Sequence, residues 1–372
     1  MLDDFFGSLG GGPGFVRGIS DRGFAKARDH LSVPGLQKLN THAINLADSM
    51  GLVPRWRGLR VVAGDASVLH AALRSYTPKA AAAGKPQKLA AAPSQRLFSL
   101  YLPGSELTLF AQLHSDKTGE RQMLVEALSH LLPGDVLVLD RGYPATWLVA
   151  LLNEMKIKFC MRCDSSRSGW THQRRLLGSD KSELVVRLSK PTKRDVKDFG
   201  LSGQAPELRL VRHVTSEGKL WMLATNLPAK EFPAEVFGEL YHKRWRIEEC
   251  YKRLKHVQKI ESASGLTQQA LEVDIQAKVL ADNLTSLVCA GAVQQTGDQS
   301  EAANARLCNR TYAARCIRHV LTRLVLGVGC VATLLEQAFA LLKATAVKRR
   351  PGRNAQRPNN RTKPHPKLAY KG

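Results

Sequence analysis

Between residues 58 and 163 the hydrophobic pattern changes period again and again, and that alternation leaves few architectures open. LRVVAGDASVL (59–69) has a β-branched core ending near Asp65 and reads as a strand. RLFSLYL and LTLFAQL flank PGSE and read as a hairpin. GERQMLVEALSHLL is helical, and GDVLVLD (134–140) is a short apolar strand that ends on Asp140. Pro144 then opens a helix over ATWLVALLNEMK, and KFCMRCD is a strand again. The order strand, hairpin, helix, strand, helix, strand describes an α/β domain with a mixed sheet covered by helices.

The flanking segments follow other patterns. Ser20 is an N-cap candidate before DRGFAKARDHL, and the next helix spaces Leu36, Leu39, Ala43, Leu46 and Ala47 along one side. These helices suit a small DNA-binding module or a cap on the next domain. TPKAAAAGKPQKLAAAPSQ (77–95) is of low complexity and reads as a flexible loop. After Asp164, ELVVRLSK, LRLVRHV and KLWMLATNL show strand character with no helix period, so 164–235 is expected to be an inserted, mostly β segment. Helices resume from residue 236. LVLGVGCVATLL (324–335), a largely apolar run of 12 residues, is too short to span a bilayer and reads as a buried helix.

Charge narrows the partners. Against 32 Asp and Glu the chain carries 55 Lys and Arg, a formal net charge of +23. Such an excess repels itself unless a polyanion neutralises it, which points to nucleic acid. No long basic amphipathic helix with an aromatic face supports a membrane partner. The last 25 residues hold nine Lys or Arg and no acid, a tail expected to be disordered and to add phosphate affinity that ignores sequence. Without a cationic start and apolar run the N-terminus does not read as a signal peptide, and seven scattered cysteines suit a reducing cytoplasm. Cys160 and Cys163 lack a second pair at zinc-site spacing and read as buried strand residues.

Asp65 and Asp140 each stand at or near the end of a strongly apolar strand, where a carboxylate is costly unless something offsets it. A divalent cation would do so; an ordinary turn aspartate is the plainer alternative. YHKRWRIEECYKRLKH (241–256) shifts that balance by crowding eight Lys, Arg and His around two glutamates. With Tyr241 at 0° and about 100° per residue, Arg244, Glu248 and Lys255 fall at about −60°, −20° and −40°. One stripe thus holds a carboxylate, two cations and a phenol. Glu249 falls outside it, placed to pair with Arg253, while Ile247, Cys250, Tyr251 and Leu254 form an apolar back. Three carboxylates from distant segments suffice to hold two cations for phosphoryl transfer, and neighbouring Arg and Lys would fix phosphates.

The spacing Tyr241, Arg244, Glu248, Lys255 resembles the Tyr-Arg-Glu-Lys signature of the DDE transposases of the insertion-sequence-four family. GDASVL around Asp65 and VLDRGYPA around Asp140 resemble the segments that hold that family's two catalytic aspartates. The resemblance covers roughly residues 58–300. It implies a ribonuclease-H-like core with a β-rich insertion and helical ends. It implies Asp65, Asp140 and Glu248 as catalytic ligands of two Mg²⁺ ions, with Mn²⁺ as a substitute. Tyr241, Arg244 and Lys255 would grip phosphates, with Arg141 beside Asp140 as a further DNA contact, and Trp221 would stack on a flipped base or else simply pack in its strand. The implied activity is cut-and-paste transposition in the bacterial cytoplasm, at the nucleoid, on double-stranded inverted-repeat ends and target DNA. A hairpin intermediate is expected, and a homodimer to bring two ends together. Alternatives on the same residues are a ribonuclease-H-like nuclease or junction resolvase, and a DNA-binding regulator without catalysis. The expected organisation is a helical DNA-binding region (1–57), a core in two parts (58–163 and 236–300) around the insertion (164–235), a helical region (301–347) and the basic tail (348–372).

Overall fold

The computed structural model describes residues 19–71, 94–163, 170–263, 265, 267–294 and 306–348. Most of the N-terminal stretch, nearly all of the 77–95 segment and the basic tail beyond Lys348 lie outside them. Contacts divide the chain into two units, one of Val53–Val68 with Arg96–Tyr251, the other of Met1–Leu52, Leu69–Gln95 and Lys252–Gly372.

The first unit is built on a nine-stranded sheet. Its strands are β1 (Arg55–Trp56), β2 (Leu59–His70), β3 (Ser94–Leu102), β4 (Leu107–Ser115), β5 (Asp135–Leu139), β6 (Lys158–Cys163), β7 (Glu183–Arg187), β8 (Glu207–Val214) and β9 (Leu220–Thr225). They are ordered β4-β3-β2-β5-β6-β9-β8-β7, with β1 beside β2. β2, β5 and β6 run parallel, whereas β9 returns antiparallel to β6. The first five strands of that order are those expected from the sequence for the core sheet. Every residue of β5 is buried, so both faces of this central strand are covered.

The short helices of this unit are α3 (Glu120–Ala127), α4 (Thr146–Glu154), α5 (Thr171–Leu177), α6 (Lys193–Phe199) and α7 (Phe237–His242). They follow α1 (Asp21–Asp29) and α2 (Val33–Ser49) of the other unit. On one sheet face Val61, Val136, Val138, Cys160, Val211 and Leu223 pack with Phe237, Leu240 and Tyr241 of α7. Gly238 makes this approach possible, because a Cβ there would collide with the His213 ring. Cys160 and Cys163 are buried strand residues, as expected, and burial pushes the Cys163 thiol up to about 12.

The 164–235 segment departs from the sequence expectation in one respect. Its strands β7–β9 continue the same sheet, but α5 precedes them and α6 separates β7 from β8. Both helices have seven residues, too few for a 3.6-residue period to show. Local capping defines α6 instead: Thr192 and Asp195 form a reciprocal capping box, and Gly200 ends the helix at φ 64°.

The second unit is largely helical. It contains α1, α2, the end of α8 (Arg246–His256), α9 (Gln268–Gln294), α10 (Arg310–Val325) and α11 (Val331–Ala344), with a small ladder of β10 (Arg306–Leu307) and β11 (Val347–Lys348). Ser20 caps α1 as expected, accepting from the Gly23 N–H. The face that α2 buries differs in part from the expected one, with Ala47 common to both. Asn40, Ile44 and Ala47 are buried, while Leu39 and Leu46 are 57% and 53% exposed. The reason is a polar partner: Asn283 of α9 donates to the buried Asn40 side chain at 2.6 Å. The apolar run at 324–335 is likewise not one buried helix. α10 ends at Val325, Gly327 and Gly329 take φ values of 66° and 90°, and Leu326, Val328 and Val331 are exposed. Among the described residues no helix is long and apolar enough to cross a membrane.

Candidate functional site

A buried ion pair sets the position of two aspartates. Arg60 at the start of β2 donates to both carboxylate oxygens of Asp135 at the start of β5, at 2.6 and 2.7 Å. The pair sits in a parallel register that matches Arg60 with Asp135 and runs on through Ala63 with Val138. Continued two residues further, that register brings Asp65 level with Asp140. Gly64 keeps the strands close here, since a Cβ on it would stand 2.9 Å from Leu139 Cδ2.

Asp65 is surrounded by charge. Burial raises its pKa to about 7, against the opposing pull of Arg244 and with further lift from the negative charges of Asp140 and Glu120. Asp140 lies just past the end of β5 and accepts from the Gly142 N–H at 2.8 Å, which curls the chain into the turn toward α4. Arg141 beside it is exposed.

Glu248 arrives from the opposite end of the unit's sequence. The 241–256 stretch is not one regular helix: α7 ends at His242, Lys243–Trp245 form a 3₁₀ turn, and α8 starts at Arg246. The stripe read from a uniform wheel therefore holds only in part. Arg244 and Glu248 do share a side, with Arg244 Nη2 donating to Glu248 Oε1 at 2.9 Å. The other guanidinium nitrogen lies 3.6 Å from Asp65 Oδ2, so one buried arginine spans two acids 183 residues apart. Tyr251, a turn beyond Glu248, anchors α8: its hydroxyl contacts the carbonyl oxygens of Asp65 at 2.7 Å and of Leu97 at 3.1 Å. Ile247, Cys250, Tyr251 and Leu254 are buried as the expected back of the helix, Glu249 is exposed, and Lys255 is half-buried two turns after Glu248.

Tyr241 and Trp221 lie together, ring centroids 5.3 Å apart edge to face. Trp221 is half-buried on β9 under the guanidinium of Arg162 at 5.4 Å, whereas Tyr241 is only 1% exposed in the sheet–helix core. Trp245, between Arg244 and Arg246, is 47% exposed.

Sequence reading missed three side chains around these acids. Glu120, in the first turn of α3, contributes negative charge at Asp65, and its own pKa is raised by burial and then by Asp140. Tyr143, three residues after Asp140, is fully buried with a hydroxyl that has no hydrogen-bond partner. Tyr251 looked like one more apolar helix residue. Nothing in their local sequence marks them, since a first-turn glutamate and a core tyrosine are ordinary.

The donors suit a hard cation: carboxylates, with a phenol close by. Among the described residues no three Asp, Glu, His or Cys side chains converge closely enough to ligate one ion. Mg²⁺ does not demand that, because it commonly keeps several waters and takes one or two carboxylates directly. In kind and charge the residues fit a divalent ion.

Residues 56–284 match the family model described as the transposase DDE domain. Among solved structures, a cryo-EM piggyBac transposase synaptic complex with hairpin DNA is 11% identical, with a TM-score of 0.41, over 83% of this chain and 63% of that one. A Mos1 transposase paired-end complex with the left transposon end is 12% identical, with a TM-score of 0.21, over 42% of this chain and 48% of that one. No curated protein matches the sequence.

Proposed function

The chain belongs to the transposase DDE-domain family, and on that basis we propose that it is a DNA transposase that excises an insertion sequence and integrates it elsewhere by cut and paste. Asp65, Asp140 and Glu248 are the residues to hold two Mg²⁺ ions, or Mn²⁺ in their place. Bound there, such ions supply activation of the attacking oxygen and stabilisation of the leaving one. Water opens the phosphodiester at the element's end and frees a 3′-hydroxyl. That hydroxyl attacks the opposite strand to give a hairpin and, after reopening, attacks target DNA.

The chain's own residues divide the remaining work. Arg244 and Lys255 address phosphates near the cut, and Arg141 offers an exposed cation beside Asp140. Trp221 is the stacking platform for a flipped base. Tyr241, buried against it, supports that ring and stands beside Arg244. Residues 1–57 supply a DNA-binding region, and a homodimer brings two transposon ends together.

The observation that carries the reading is that Arg244 bridges residues 65 and 248 while the charge of residue 140 acts on Asp65. Single Asp65→Ala, Asp140→Ala or Glu248→Ala changes should abolish Mg²⁺-dependent cleavage at a transposon end and leave DNA binding intact. Cleavage that persists in any purified variant removes that residue from the set. A strand-transfer assay separates transposase from nuclease or resolvase, since those hydrolyse and never join a 3′-hydroxyl to new DNA.

A further inference from the structure

Arg121 ties the first turn of α3 to the turn that carries Asp140. Its Nε donates to the carbonyls of Gly142 and Tyr143 at 3.1 and 3.0 Å, and its Nη2 to that of Pro144 at 3.1 Å. Glu120 is its neighbour and is drawn to the same place. A Cβ built on Gly142 would stand 3.1 Å from Asp140 Oδ1 and 3.6 Å from Glu120 Oε2. The two carboxylates thus border one small space, kept open by the absent side chain. Glu120 pairs with Arg96 at 3.5 Å on a half-exposed surface, a weak offset. Arg121 is already engaged with three carbonyls.

A second observation concerns the same acids. The buried Tyr143 hydroxyl has no partner and lies within electrostatic reach of Asp65, Glu120 and Asp140. A buried donor without an acceptor is costly, and one within electrostatic reach of these acids can donate to an oxygen that arrives with a bound ion. Two divalent ions also carry four positive charges. Three carboxylates leave these under-compensated, and Arg244 adds to the excess.

We propose that Glu120 is a fourth carboxylate of the cation site, pairing with Asp140 to hold a divalent ion directly or through its water shell, with the Tyr143 hydroxyl donating to an oxygen that the ion brings. This rests on reading Asp65 and Asp140 as cation ligands. The competing role for Glu120 is structural, an acid at a helix N-terminus.

Mn²⁺ titrated calorimetrically into the full chain without DNA separates the two. Glu120→Gln should weaken Mn²⁺ binding about ten- to hundredfold, as expected for loss of a ligand or its close support. Asp140→Asn should do at least as much, and Glu249→Gln, at an exposed acid, should do nothing. Unchanged affinity in Glu120→Gln with loss in Asp140→Asn overturns the role of Glu120 alone. Wild-type protein that takes up no Mn²⁺, or Asp65→Asn and Asp140→Asn variants that bind like wild type, overturns the cation reading and this inference with it. If Glu120→Gln does not fold, Glu120→Asp carries the test: it keeps the charge but shortens the reach, and wild-type affinity in it overturns the proposal.

Discussion

At pH 7 an aspartate in water is fully ionised, whereas Asp65, pushed up to about 7 chiefly by burial, keeps its proton about half the time. The linkage has a definite sign. In the unfolded chain the group titrates at its ordinary value of 3.8, so between there and about 7 the folded state holds the extra proton. Stability from this residue is full below the lower value and is lost as pH rises through the upper one. Thermal unfolding of metal-free protein should therefore show a melting temperature that falls from pH 5 to 7.5, with Asp65→Asn flattening the fall. An unchanged slope in that variant would mean that Asp65 is not the group responsible. Trp245 allows a second test at this scale. An exposed indole between two arginines offers a stacking face, and its replacement by Ala should cost about 1–3 kcal/mol in single-stranded DNA binding. Fluorescence anisotropy reads that directly, and unchanged affinity would leave Trp245 outside the DNA surface.

The acids meet only as precisely as the elements that carry them. Two contacts govern this: the Arg60–Asp135 pair, which registers β2 against β5, and Tyr251, which pins α8 to β2 and β3. Breaking a buried pair strands a charge, so Arg60→Ala should lower stability by about 3–5 kcal/mol in urea unfolding. Tyr251→Phe removes the one O–H that the Asp65 and Leu97 carbonyls share and should cost about 1–3 kcal/mol. It should also loosen Glu248, lowering cleavage more than DNA binding; equal losses would indicate general destabilisation instead. At this level the sequence was readable where pattern is long. β2, the β3–β4 hairpin, β5, α4 and β6 followed from period alone. Missed were α5 and α6, seven residues each, and the 3₁₀ turn that divides the wheel at 243–245. Such short pieces are set by caps and neighbours rather than by their own periodicity.

For the whole molecule the dominant quantity is the charge of +23. Binding to duplex DNA should weaken steeply with salt, because each neutralised phosphate releases condensed counterions. Deleting residues 349–372, a stretch with eight Lys or Arg, should flatten the plot of log affinity against log salt by several units if most of those cations contact phosphate. The effect should be the same on any sequence, and a deletion that changes specificity but not slope would assign the tail a different role.

Sequence by itself determined the alternating α/β core, the basic character, and the choice of Asp65, Asp140 and Glu248 as the acids to examine. These follow from periodicity, composition and spacing, all of which are local or additive. Only the tertiary structure decided what stands beside those acids. Register brings Asp65 level with Asp140, Arg244 reaches across to both Asp65 and Glu248, and the α3 turn delivers Glu120 and Arg121 to the Asp140 loop. It also decided which face of α2 is buried, through one asparagine pair. Each of these depends on a partner far away along the chain, and a residue's own neighbours in sequence carry no information about that partner.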